Sequence, residues 1–315
     1  LNMQVSLNRA EVFMFTVEEL TPRMVEVLGK VVSGLQLKCP QICFQSHIES
    51  FYYYMLHQQA ELWKREVFVF EYNDTLKTLR FQCNRHTTPR VVFIEHLDYP
   101  EMKRVDWAED EAQRMAQQQE LDAQFGQLCE SCLHETDVST VFLIGEGFKE
   151  GWTRESLKIL CHNRRVFQGN NLYSKGACYA GMEKLNPQES TREYVYLGED
   201  KLKSNIGMRA LRRGEDSYLA ILDAGVNWYE AKTDFDLILE SGNVLCFTIT
   251  PLTGENIMDK TVTLDGLPER PRCTTRLRIH AEMTAIHTLT LEITDMGFGE
   301  LFKSSGRAWT HTLQV

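Results

Sequence analysis

The chain of 315 residues is about twice the usual domain length of ~150 residues, which predicts two domains or one domain with a sizeable addition. Hydrophobic residues make up 43% and charged residues 25%, values that are typical of a folded protein and exclude a disordered or coiled-coil chain. The net charge of −10 disfavours binding to nucleic acid or to an anionic membrane surface.

Nine scattered cysteines and the lack of a signal-peptide pattern favour a reducing, cytoplasmic compartment. No apolar run reaches the ~18 residues that are needed to cross a bilayer. Because the chain begins at Leu1 rather than Met, we expect it to be a piece of a longer protein.

The first segment, residues 1–64, has the pattern strand, helix, strand, helix. Glu11–Val17 is a β-rich run, and Thr21 followed by proline has the form of an N-cap and first-turn residue. Gln41–Gln45 predicts a second strand, and apolar residues at helical spacing predict a second helix over residues 46–63.

The second segment, residues 65–190, opens with three strand-like runs that resemble a meander. A long helix is predicted from about Asp106 to Glu135. The apolar run Val141–Phe148 then leads into a Gly-x-Gly turn, and a helix, a short strand and a last helix over Asn171–Lys184 follow. Strands that alternate with helices predict an α/β layer arrangement.

The third segment, residues 191–315, contains short β runs broken by Gly, Asn, Asp and Pro, with almost no helical periodicity. This pattern predicts an all-β sandwich. The polar, proline-bearing stretch Leu185–Glu193 is the expected boundary before it.

Three features are candidates for chemistry. The turn Gly145-Glu146-Gly147 follows an apolar strand, a context in which backbone amides can hold an anion, although a tight structural turn explains the same residues. The acidic hairpin with Glu71, Asp74 and Thr75 is equally compatible with a hydrated divalent cation and with a polar turn. The third feature is a set of thiols and imidazoles whose spacing favours buried helix thiols over a metal site: Cys129, Cys132, His134, Cys161 and His162.

The order of elements and several strings resemble the actin-like ATPase superfamily, and more closely the DnaK-type heat-shock chaperones. The string VFVFEYNDTLKTLRF resembles the phosphate-binding hairpin of that family, and VFLIGEGF resembles its adenosine-binding strand and turn. The turn at Gly266, Leu267, Pro268, Arg270, Pro271 and Arg272, followed by two long strands, resembles the substrate-binding β-sandwich. The resemblance implies ribonuclease-H-like, actin/DnaK-type lobes, of which the first is truncated, followed by an all-β sandwich.

The departures from this family concern the nucleotide site. The family's hairpin has an aspartate, three glycines and a threonine, because glycine lets backbone amides crowd a phosphate. The equivalent residues here are Glu71, Tyr72, Asn73, Asp74 and Thr75.

Two further motifs also differ from the family. Glu146 separates the two glycines of the adenosine turn, and Gln45-Ser46-His47-Ile48 stands where the family has Asn-Glu-Pro-Thr. The family's first phosphate loop and catalytic lysine would precede Leu1.

These residues lead to the expectation of a degenerate DnaK-like relative that does not hydrolyse ATP and has no catalytic, metal or cofactor residues. It would bind a protein or peptide partner through the β-sandwich, and would bind neither nucleic acid nor membrane. The alternative is an active ATPase that uses ATP and Mg and whose first phosphate loop lies upstream.

Overall fold

The computed structural model describes residues 10–36, 39–134, 136–169, 171–198, 200–212, 214–252 and 256–315. It divides into two compact units, Leu1–Tyr196 and Leu197–Val315. This division falls close to the boundary expected at residue 190, and the finer boundary at residue 64 stays a prediction.

The first unit is an α/β domain. Its elements are β1 (Val12–Val17), α1 (Pro22–Leu35), β2 (Gln41–Ser46), α2 (His47–Leu56), β3 (Glu66–Tyr72), β4 (Thr75–Asn84), β5 (Arg90–Lys103), α3 (Glu111–Leu133), β6 (Val138–Ile144), α4 (Glu155–Leu160), β7 (Arg165–Gln168), α5 (Leu172–Leu185), α6 (Glu189–Arg192) and β8 (Tyr194–Tyr196). Strands β1 and β2 form a small parallel sheet, with α1 as the connection between them.

The central sheet has six strands in the order β7-β6-β3-β4-β5-β8. The strands β3, β4 and β5 are antiparallel neighbours, whereas β6 runs parallel to β3 and β7 runs parallel to β6. This mixed sheet with its helical connections confirms the predicted α/β fold class.

Alternating side chains of β3 supply a core on each face of this sheet. Phe68 and Phe70 pack with Phe125 of α3 on one face, whereas Val67 and Val69 pack with α2 on the other. Strand β6 is buried along its whole length, as expected for a central strand with helices on both sides.

The second unit consists of two antiparallel four-stranded sheets, in the orders β10-β9-β12-β13 and β11-β14-β15-β16. One hydrophobic core joins residues of both sheets, which makes the unit a sandwich. The strands are β9 (Ser204–Arg212), β10 (Glu215–Leu222), β11 (Lys232–Leu239), β12 (Val244–Pro251), β13 (Met258–Thr263), β14 (Thr275–Ala285), β15 (Thr288–Gly297) and β16 (Ala308–Gln314).

Two predicted helices are shorter in the structure. Helix α2 begins after its cap Ser46, as predicted, but ends at Leu56, and a 3-10 turn over Ala60–Leu62 turns the chain toward the sheet. Helix α3 begins only after Asp110, whose carboxylate accepts the Gln113 backbone N–H at 2.9 Å. The predicted last residue of α3, Glu135, lies outside the described residues.

Among the helices described, none is long and apolar enough to cross a membrane.

Candidate functional site

The acidic hairpin and the Gly-x-Gly turn lie side by side at one edge of the central sheet. The hairpin joins β3 to β4, and Gly145 directly follows β6, whose last residue pairs with Glu71 of β3. The backbone N–H of Glu146 donates to the Asn73 side-chain oxygen at 3.2 Å. The structure therefore brings the two sequence-predicted segments into direct contact.

Tyr72 occupies the space above both glycines of this turn. A Cβ atom added to Gly145 would lie 2.4 Å from the Tyr72 carbonyl oxygen, and one added to Gly147 would lie 2.5 Å from the Tyr72 ring. Gly145 also has φ of +104°, which side-chain-bearing residues rarely adopt. The glycines are therefore required by the close approach of Tyr72.

The Tyr72 side chain belongs to the core. It is 1% exposed and packs edge-on against Phe148, with ring centroids 5.6 Å apart. Its hydroxyl donates to the Lys103 carbonyl oxygen at 2.6 Å, and burial raises the pKa of this phenol. The Gly147 carbonyl oxygen accepts the Trp152 indole N–H at 2.7 Å. These contacts fix the turn against the chain's own aromatic side chains.

Glu71 is held by two donors. One of its oxygens accepts the Tyr173 hydroxyl at 2.5 Å, and the other accepts the Asn73 amide at 3.0 Å. Burial, followed by the charge of Glu71, raises the pKa of Tyr173, so this hydroxyl stays a donor. His47 stacks on the Tyr173 ring at 4.2 Å, and burial lowers the pKa of this imidazole against the opposing effect of Glu71.

The other acidic residues of the hairpin and the turn differ in exposure and partners. Glu146 pairs with Lys149 three residues along the chain. Asp74 is exposed, and its backbone carbonyl accepts the Arg104 N–H at 2.8 Å. Thr75 begins β4 and pairs with Lys103 of β5. These contacts describe a stable polar hairpin, which is one of the two interpretations that the sequence left open.

The segment Gln45-Ser46-His47-Ile48 also makes polar contacts within the first unit. Gln45 is buried and donates from its amide to the Ser50 hydroxyl at 2.7 Å. The Ser50 and Thr16 hydroxyl oxygens lie 2.6 Å apart, which links this network to β1. Ser46 accepts the Glu49 backbone N–H and so caps α2. These polar groups stabilise the junction of β1, β2 and α2.

The cysteine-rich region is part of the packing of α3. Cys129 is buried, and burial raises the pKa of its thiol far above the usual range. The Cys132 sulfur lies 3.4 Å from the Tyr99 hydroxyl. Within the described part of the chain, no three His, Cys, Asp or Glu side chains are grouped closely enough to hold a metal ion.

The proline-rich turn of the second unit is anchored by Arg270, one of the turn residues on which the resemblance to the chaperone sandwich rested. Arg270 donates to both carboxylate oxygens of Asp295 on β15, and its guanidinium also donates to the Lys303 carbonyl at 2.9 Å. Gly266 has φ of +71° and lies against the Arg307 guanidinium. Only folding shows that Arg270 is a structural anchor, because its partner lies 25 residues away in sequence.

The hydrogen bond between Tyr173 and Glu71 was also not predicted from the sequence. No local pattern could have indicated this contact, because the two residues are 102 positions apart. Two pairs of basic residues, Lys64-Arg65 and Arg164-Arg165, each lie at the start of a strand. In a chain with a net negative charge, this pattern could have indicated a cluster of cations.

Taken together, the structure defines an α/β domain, in which the polar hairpin and the glycine turn pack against the chain's own side chains, followed by a β-sandwich. The chain belongs to a family of unknown function, DUF5716, whose C-terminal model matches residues 1–199. Residues 201–315 match a second domain of unknown function, DUF8552. Neither of these models is that of the actin-like ATPases or the DnaK-type chaperones. No curated protein matches the chain.

Proposed function

We propose that this chain is a degenerate relative of the DnaK-type chaperones that does not hydrolyse ATP and acts as a scaffold for a protein or peptide partner. The observation that carries the first part is the packing of Tyr72 on Gly145 and Gly147. A glycine turn that binds a ligand must leave its backbone open to that ligand. Here the space beside Gly145 and Gly147 is filled by a buried aromatic residue of the chain.

The charges at this edge support the same proposal. Asp74 places a carboxylate where the resemblance implies a glycine beside a phosphate, and like charges repel at this range. Phosphoryl transfer depends on positioned cations and amide donors, neither of which these residues supply.

Isothermal titration calorimetry of the 315-residue chain with ATP and Mg²⁺ tests the proposal, with an active DnaK-type chaperone as the positive control. We expect no saturable heat and no release of phosphate. Micromolar binding with turnover would overturn the proposal in favour of an active ATPase. In that case Asp74→Gly should change the affinity for ATP, because it removes a carboxylate beside the phosphates.

An edge of the β-sandwich supports the proposed partner binding. Strand β10 is an edge strand of its sheet, because it pairs only with β9 among the described strands. Leu219 of β10 is 37% exposed although it pairs with the buried Met208, and Tyr218 is 49% exposed. An extended peptide that added to this edge would gain backbone hydrogen bonds and would cover Leu219.

An array of extended hydrophobic peptides, probed with the intact chain, tests this edge. We expect saturable binding that Leu219→Glu weakens. The matched control is Ile238→Glu, because Ile238 is 52% exposed on β11, an edge strand of the other sheet. Equal losses in both variants, or no saturable binding by the parent chain, would rule out strand addition at β10.

A further inference from the structure

Two adjoining cavities lie at the start of the parallel strands, on the sheet edge opposite to the Gly145 turn. The first, of about 410 Å³, is lined by Lys64, Arg65, Arg164 and Arg165 together with Glu61, Ser139, Cys161 and Asn163. The second, of about 370 Å³, shares Lys64 and Arg65 and adds Arg85, Trp63 and Phe93 among its lining residues. We call the five cations Lys64, Arg65, Arg85, Arg164 and Arg165 the basic cluster.

The sheet geometry explains why these cations converge. Arg65 directly precedes β3 and Arg165 opens β7, with β6 lying between the two strands. Because neighbouring strands lie ~4.8 Å apart, the two strand starts are only about 10 Å apart, within reach of two arginine side chains. Arg165 pairs with Thr140 near the start of β6, so the cations converge at the N-terminal ends of these parallel strands.

The chain's own carboxylates neutralise the cluster only in part, because Glu61, which lines the first cavity, forms no ion pair among the described residues. Lys64 and Arg165 have no ion-pair partner among the described residues. Arg65 pairs with Asp137 at 2.6 Å, but both side chains are largely exposed, and such surface pairs contribute little. Glu66 lines the second cavity but is held by Arg80 at 2.8 and 3.0 Å and so does not compensate the cluster. Cations held this close together repel one another until an anion binds.

Two of the guanidinium groups are already oriented. Arg85 donates to the Trp63 carbonyl at 3.2 Å and lies over the Trp63 ring at 5.8 Å. Arg164 donates to the Ile159 carbonyl at 3.3 Å. Guanidinium groups that are fixed in this way lose less freedom when they bind a planar carboxylate.

We propose that the two cavities form a binding site for an acidic segment of a partner protein, whose carboxylates pair with the basic cluster. A single small anion would fill little of this space, since one water molecule takes about 30 Å³ and a carboxylate group only a few times more. Phe93, which is 36% exposed, offers an apolar contact beside the cations. The phosphate backbone of a nucleic acid would extend beyond the cluster and would be repelled by the rest of the chain, whose net charge is −10. A short acidic segment can stay within the cluster. This site does not depend on the proposed function of the β-sandwich.

Fluorescence anisotropy of a labelled oligoglutamate peptide, titrated with the intact chain, tests the proposal. We expect saturable binding that weakens as salt is added and no binding of oligoglutamine of the same length. Arg165→Gln and Lys64→Gln should each reduce the affinity by about three- to tenfold. Arg23→Gln is the matched control, because it removes one exposed positive charge from α1, outside the cluster, and should leave the affinity unchanged.

Alkylation of cysteine provides a second measurement that locates the peptide. Cys161 is exposed and lines the first cavity, whereas Cys246 is exposed in the second unit. Oligoglutamate should slow the reaction of N-ethylmaleimide with Cys161 and leave that of Cys246 unchanged. No saturable binding, or equal effects on both cysteines, would overturn the proposal. A single-stranded oligonucleotide of equal charge that bound as tightly, with the same loss in Arg165→Gln, would also overturn it in favour of nucleic acid.

Discussion

The guanidinium group of Arg270 donates to both carboxylate oxygens of Asp295 at 2.8 Å, and both side chains are almost completely buried. The same carboxylate also accepts the backbone N–H groups of Gly297 and Ser305. One buried pair thus joins the proline-rich turn, strand β15 and the segment that leads to β16. Because a buried charge that loses its partner is costly, this pair should control the stability of the second unit.

Replacing Arg270 by Met should destabilise the second unit by about 3 kcal/mol, because Asp295 would remain buried without its cation. Urea unfolding, with hydrogen exchange of the β14 and β15 amides as the readout, measures this unit separately from the first. Arg272→Met is the matched control, since Arg272 pairs with Glu240 at the surface and should contribute less than about 1 kcal/mol. A loss in Arg270→Met no larger than in this control would show that the buried pair is not the anchor.

The stability of the second unit should also depend on pH through Asp295. Hydrogen bonds from Arg270, followed by those from Ser305 and Gly297, hold the pKa of this carboxyl well below its usual range. In the unfolded chain the pKa is about 3.9, so the folded state binds fewer protons. The stabilisation is therefore complete above about pH 5 and is lost as the pH falls through 4 toward the folded pKa.

Comparing the parent chain with Asp295→Asn by urea unfolding at several pH values checks this dependence. The difference in stability should be largest near neutral pH and should shrink as the pH falls below 4. Asp236→Asn is the control, because Arg278 also lowers the pKa of Asp236 but the pair lies at the surface. A constant difference between parent and Asp295→Asn over the whole pH range would contradict the prediction.

In the turn between Gly145 and Gly147, Gly147→Ala should destabilise the first unit by about 1 to 3 kcal/mol, because the new methyl group would overlap the Tyr72 ring. Gly29→Ala is a suitable control, since nothing lies within 4 Å of its added Cβ and alanine favours the helix α1. Thermal unfolding of both variants measures the difference. If Gly147→Ala were as stable as the parent chain, the turn would be open rather than filled by Tyr72.

Local sequence patterns predicted most elements because their causes are local. Thr21 caps helix α1 with its own side chain, as its position before an apolar helical pattern indicated. Ser46, at which the second helix was predicted to begin, caps helix α2 in the same way. Strand β8, by contrast, has only three residues and is defined by its pairing with β5. A run this short carries no periodicity, so the sequence left it unassigned.

The candidate site could be predicted only in part, for a related reason. The types of residue in the hairpin and the turn indicated a departure from a phosphate site, because glycine and charge act locally. The sequence could not show that Tyr72 rather than a ligand lies against Gly147, since this depends on the pairing of β3 with β6. Long-range pairing also brings together the cations of the basic cluster, which lie on segments about a hundred residues apart in sequence.

Asp122 of α3 is a buried carboxylate that caps another helix, α4. It accepts the backbone N–H groups of Arg154, Glu155 and Ser156 at 3.1, 2.7 and 3.1 Å, at the start of α4. Burial would raise its pKa, but these donors and the Ser156 hydroxyl lower it, so the carboxylate stays charged.

Asp122→Ala should destabilise the first unit by about 2 kcal/mol, because the N–H groups at the start of α4 would lose their acceptor inside the protein. Asp122→Asn keeps one acceptor oxygen and should lose less. Hydrogen exchange of the α4 amides, together with urea unfolding, measures both effects. Glu155→Gln is the control, because Glu155 pairs with Lys158 at the surface and should change the stability little. Faster exchange of α4 in Asp122→Ala, with the other helices unaffected, is the expected result, because this short helix depends on a cap supplied by α3.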